Sequence, residues 1–124
     1  MPAYSSTPIH TRTVVASATV IKERFVTAAG AHPSAGGLPI GVTRSDGESG
    51  DLLPVDVLGT AIVTAGAAIA VDAAVMVSTG GKAITHDGDG DKHAVGRALS
   101  AAAADGETIE VLLIPSAGLL VTAS

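Results

Sequence analysis

The chain has no cysteine and no tryptophan, and its aromatic side chains amount to one Phe and one Tyr. Without cysteine there is neither a disulfide nor a thiolate metal site, although compartment stays open because both cytosolic and secreted proteins can lack Cys. With so little aromatic surface there is no platform on which single-stranded nucleic acid would stack, and no clustered face of the kind that binds carbohydrate. Positive charge is also scarce: seven Lys and Arg stand against twelve Asp and Glu, a formal net charge of −5. That balance argues against a phosphate-neutralising surface, so no nucleic-acid partner is expected. The start, MPAYSSTPIHTR, lacks a basic region followed by an apolar one, which argues against a secretory signal. The longest uncharged run, Val57 to Val71, is shorter than a membrane span and is interrupted by Gly and Thr. The expectation is a soluble protein with no membrane partner.

Catalytic constellations are missing too. Neither a phosphate-binding G-x-x-x-x-G-K-[ST] loop nor a G-x-S-x-G nucleophile elbow occurs. Glu107 and Glu110 flank the start of a late strand, where a solvated edge explains them better than acid–base pairing. An enzyme needs polar groups converging in a pocket, and few candidates exist. The sequence reads as a non-enzyme without a cofactor.

What is present is small and apolar. Ala, Val and Gly dominate a chain of 124 residues, most simply one domain. Aromatic side chains carry the largest area per residue, so a core without them gains less from each buried position. Association with copies of itself is a common remedy. The organising stretch is Gly50 to Thr85, rich in β-branched residues that suit a pleated, half-buried surface. Gly59, Gly66 and the Gly80–Gly81 pair punctuate it at turn spacing, which predicts consecutive short antiparallel strands. Thr13 to Ile21 alternates, with Val14, Ala16, Ala18 and Val20 on one face. Leu38 to Thr43, Ala94 to Leu99 and Thr108 to Ile114 read as further strands, with Asp105–Gly106 as a hairpin turn between the last two. The fold class predicted is all-β, a small antiparallel β-barrel or sandwich with an extended N-terminal arm. Residues 1–12 form the arm, 13–115 the β-domain and 116–124 an apolar tail.

Two segments invite a chemical reading. His86 to His93 (HDGDGDKH) spaces Asp87, Asp89 and Asp91 as calcium loops space carboxylates, but Lys92 stands where the sixth-position Gly belongs and Ala98 where the twelfth-position Glu belongs. Two histidines alone do not make a zinc site, so an exposed acidic hairpin loop without a metal is expected. His32, in the AGAHPSAGG loop, reads as solvated. In the arm, Tyr4 and Ile9 are the apolar contacts for a neighbour. The tail, with Leu119, Leu120 and Val121 and no charge, calls for docking on its own barrel or on a neighbour.

From Leu53 to Leu113 the chain resembles the capsid cement, or head decoration, proteins of tailed bacteriophages, a group long catalogued as a domain of unknown function. The resemblance rests on VLGTAIVTAGAAIAVDAAVMVSTGGKAIT followed by AVGRALSAAAADGETIEVLLI, at Gly66, Ile69, Val75, Val77, Gly81, Val95, Gly96, Ala98, Leu99, Gly106, Glu107, Val111 and Leu112. It departs at Asp72–Ala73–Ala74, where members often carry Gly-Asp. The resemblance implies a structural protein on the outer surface of the virion capsid, assembled in the bacterial host cytoplasm. Its partners would be the major capsid protein and itself, as a homotrimer or, alternatively, a dimer. Tyr4, Ile9, Arg12, Leu119 and Leu120 would meet the capsid or a neighbour. A phage tail or baseplate component and a ligand-binding β-domain are the alternatives.

Overall fold

Strand β4 (Leu52–Thr64), thirteen residues long, is the spine of the fold. The computed structural model describes residues 6–88 and 92–114. Within them are β1 (Pro8–Val15), β2 (Arg24–Val26), β3 (Gly41–Thr43), β4, β5 (Ala74–Val77), a 3-10 turn at Thr79–Gly81, β6 (Ala83–Thr85), β7 (Gly96–Ala98) and β8 (Thr108–Leu113). All ladders are antiparallel, in the order β2-β3-β4-β8-β7-β5-β6, with β1 on β4 as well. A bridge between Ala65 and Ala83, with Gly66 N–H donating to the Ala83 carbonyl at 2.8 Å, brings β6 back to the end of β4. The sheet is thereby nearly closed into a barrel, which leaves fewer strand edges uncovered.

β4 changes partners along its length. Its first half lies between β1 and β3, so that Asp56 is opposite Thr11 on one side and Val42 on the other; its second half pairs with β8 from Thr60 to Thr64. One face of the strand stays inward throughout. Leu53 and Val55 join Val14, Ala16, Val20 and Val26 in one buried cluster. Ala61 and Val63 join Val75, Val77, Ile109, Val111 and others in a second, larger cluster inside the barrel. Phe25 and Val42, paired across β2 and β3, also face the larger cluster.

The all-β class agrees with the sequence, and so do the late strands and the Asp105–Gly106 turn, which carries no helix. The central stretch differs from expectation. It opens not with short strands but with one long one, because Gly59 is not a turn. Its φ is +92°, and a Cβ there would lie 2.5 Å from the Thr7 carbonyl oxygen and 2.7 Å from the Ile9 nitrogen. The β1 register slips beside it, between Pro8 and Thr11. Gly59 therefore serves a bulge that lets β4 bend from one ladder into the next. Pro54 is tolerated in this strand because its nitrogen falls beyond the end of the β3 pairing, while its carbonyl still accepts Arg44 N–H at 2.9 Å.

The strand expected at Thr13 to Ile21 begins and ends earlier. Past Val15 the chain turns away, held by Ala16 N–H on the Asp51 carbonyl and Ser17 N–H on the Gly30 carbonyl. The predicted inward face nevertheless holds at Val14, Ala16 and Val20, with Ala18 exposed. Of the segment expected as an arm, residues 1–5 lie outside the described residues, and Pro8 to Arg12 are the first part of β1 on the chain's own β4. Pro8 opens that strand, where its missing N–H breaks no established ladder.

Candidate interaction surface

The side chains of β1 divide between two surfaces. Ile9 to Thr13 are all exposed, Ile9 at 79%. On the outward face Val15 stands opposite Leu52 and Thr13 opposite Pro54. Val15 is 56% and Leu52 68% exposed, so the pair forms an apolar patch open to solvent. Cross-strand neighbours of this kind hold each other in place. On the inward side Val14 enters the core, whereas Arg12, opposite Val55, stays exposed.

Beyond Arg12 lies an open groove of about 400 Å³, floored by Leu38, Pro39, Ile40 and Val57, with His10 and Arg12 on its rim. A smaller recess on the outer side of β4 is lined in part by Glu23, Thr43, Arg44 and Asp56. Among the described residues Arg12 has no ion-pair partner. The structure thus brings Ile9 and Arg12 onto one strand. Tyr4, Leu119 and Leu120 lie outside the described residues.

Asp56 is a residue that sequence reasoning missed. It is 2% exposed; its Oδ1 accepts the Thr11 hydroxyl at 2.9 Å, and its Oδ2 lies 3.7 Å from Arg44 Nε. The signal was a lone carboxylate inside an apolar strand, and it points to a structural role, since the carboxylate fastens β1 and β3 to the spine between them.

His32 corrects another expectation. Half-buried rather than free in solvent, its ring joins three segments: Nδ1–H donates to the Phe25 carbonyl at 2.8 Å, and Nε2 accepts Ile21 N–H at 3.1 Å. The Ile21 donor fixes the neutral tautomer with the proton on Nδ1. Gly81 lies against this ring; with φ +83°, a Cβ there would sit 2.6 Å from His32 Nδ1 and 2.8 Å from the Phe25 oxygen.

The acidic loop is organised around its own backbone. His86 Nε2–H donates to the Lys92 carbonyl at 2.9 Å, and its Nδ1 accepts Gly88 N–H at 2.9 Å. Lys92 Nζ reaches Asp87 at 2.6 Å. Asp89 and Asp91 lie outside the described residues, and among those described no three ligating side chains converge.

Among the described residues, the geometry offers a strand face and a groove. The structure resembles that of the head fiber gp8.5 N base of bacteriophage phi29, with a TM-score of 0.70 and 24% identity, over 85% of this chain and 93% of that one. That likeness concerns the fold. No curated protein sequence matches the chain. The model of the phage cement protein family matches residues 5–113, a span that includes every strand described above. The chain belongs to the phage cement protein family and is a structural protein of the phage head.

Proposed function

We propose that the protein binds the outer surface of a tailed-phage head and stabilises the expanded shell by bridging neighbouring major capsid subunits. It acts as a homotrimer, in the mature virion, without catalysis. The observation that carries this reading is the outward face of β1 and β4, where Ile9, Val15 and Leu52 are exposed beside Pro54 on a strand with no partner on its far side among the described residues. An apolar face next to a free strand edge suits a neighbour that adds both side-chain burial and main-chain hydrogen bonds. Arg12, on the groove side of β1, and Tyr4 are the further contact residues in this reading. A protein bound only to the expanded shell stabilises that form by mass action, with no chemistry needed.

Two measurements test it. Light scattering across a dilution series is expected to give a trimer mass. Purified protein added to heads lacking it is expected to bind and raise the temperature at which they rupture. Ile9→Asp combined with Leu52→Asp should weaken that binding tenfold or more while leaving the circular-dichroism spectrum unchanged. A chain that neither self-associates nor binds such heads is not a cement protein of this kind.

A further inference from the structure

The groove between β1 and the 38–40 segment has a fixed shape before anything enters it. Pro39 sets its own backbone and keeps Leu38 extended, and Ile40 N–H is held on the Val26 carbonyl at 2.8 Å. Val57 comes from the spine strand, so half-buried Leu38, Pro39, Ile40 and Val57 make a preformed apolar floor. Arg12 and His10 stand exposed at the rim, on a strand held by its ladder to β4. About 400 Å³ of largely apolar space thus adjoins a guanidinium with no ion-pair partner among the described residues. A guanidinium presents a planar fork that matches a carboxylate, and an apolar floor beside it strengthens that pairing by excluding water.

We infer that this groove binds an extended segment of another protein in which an acidic side chain lies beside apolar ones. The carboxylate meets Arg12, with His10 next to it, and the apolar side chains cover the floor. A second copy of this chain is a poor source of that carboxylate. Among the described residues every Asp and Glu except Glu23 already accepts a hydrogen bond within its own chain: Asp72 from Arg97, Asp87 from Lys92, Asp105 from Lys82, and the others from hydroxyls or backbone N–H groups. Glu23 lines the smaller recess on the outer side of β4. A small carboxylic acid fits poorly too. The open groove would leave much of such a ligand in water, whereas a chain segment has its own protein behind it. This surface is separate from the outward β1–β4 face, and its occupancy does not depend on whether that face meets a shell.

The test is a methyl-NMR titration of the full chain near neutral pH with three capped peptides: Gly-Leu-Glu-Val-Ser, and versions with Gln or Lys in place of Glu. The Glu peptide should shift the methyls of Leu38, Ile40 and Val57, with a dissociation constant of about 1 mM or below. The Gln and Lys peptides should bind at least about fivefold more weakly, and raising the salt should narrow that gap. Arg12→Glu changes an exposed residue, so the fold should persist, with methyl shifts elsewhere unchanged, while the Lys peptide becomes the tightest of the three. Equal binding of the three peptides, shifts centred on Val15 and Leu52 instead, or no shift at all would overturn the inference. Hexanoate binding as tightly as the Glu peptide would assign the groove to a small carboxylic acid, and loss of self-association in Arg12→Glu would assign it to a second copy; either overturns it as well. No phage head enters the titration, so its failure is told apart from a failure of the proposed function.

Discussion

At the residue scale the packing leaves no room where His32, Gly81 and the Phe25 carbonyl meet. Both ring nitrogens are committed, and the backbone of the 3-10 turn passes too close for any side chain at 81. Gly81→Ala is expected to cost about 2 kcal/mol or more, from positive φ and the displaced ring together, measured by urea unfolding; a loss below about 0.5 kcal/mol would mean that the ring moves freely. Lys82, next along the chain, donates to Asp105 at 2.9 Å. That hydrogen bond, with the charge behind it, holds the exposed Asp105 carboxyl below the usual carboxylate range. The stabilising contribution of a depressed carboxyl is present above its unfolded-chain value and is lost as pH falls through the folded one, here below about pH 4. In Lys82→Met the Asp105 titration should therefore move up, as followed by carbon NMR of the side-chain carboxyl. An unmoved midpoint would show that the ammonium does not act on it.

At the scale of elements, the spine strand explains both what the sequence revealed and what it hid. The alternation at Val14, Ala16 and Val20 and the β-branched run of β8 were legible, because a period of two needs only local information. Gly59 was misread because positive φ serves a turn and a bulge equally well, and only the close approach of residues 7–9, far off in sequence, tells them apart. The burial of Asp56 was invisible for the same reason: it arises from β1 on one side and β3 on the other. Asp56→Ala is expected to destabilise by roughly 1–3 kcal/mol, leaving the Thr11 hydroxyl without its acceptor, and amide exchange should quicken in β1 more than in β8. Equal acceleration across the barrel would place the role of Asp56 elsewhere. Of the expected contact residues, Ile9 and Arg12 share a strand, yet no sequence pattern marks the groove at whose rim Arg12 lies, since its floor comes from two segments far apart in the chain, 38–40 and Val57 of β4.

At the scale of the whole molecule, two modest clusters share one strand, and their parts are mostly Val and Ala. Such a body gains little from any single side chain, so association should account for a measurable share of its stability. The melting temperature is expected to rise with protein concentration over two decades, as linkage requires of a folded oligomer that dissociates on unfolding. A concentration-independent melt would mean that the barrel is stable alone.

The pairing of β1 with the spine has a mechanical consequence. The two strands run antiparallel over most of their length, so a load that draws the start of β1 away along its own axis is resisted in shear. The ladder's bonds then share the strain and must yield together, whereas a pull across the strands would open them one at a time. A neighbour gripping β1 would hang on a lap joint, with tension passing into β4 and along it to the barrel. Were the proposed attachment to a shell to run through β1, the direction in which the strand is pulled would decide how much force the attachment survives.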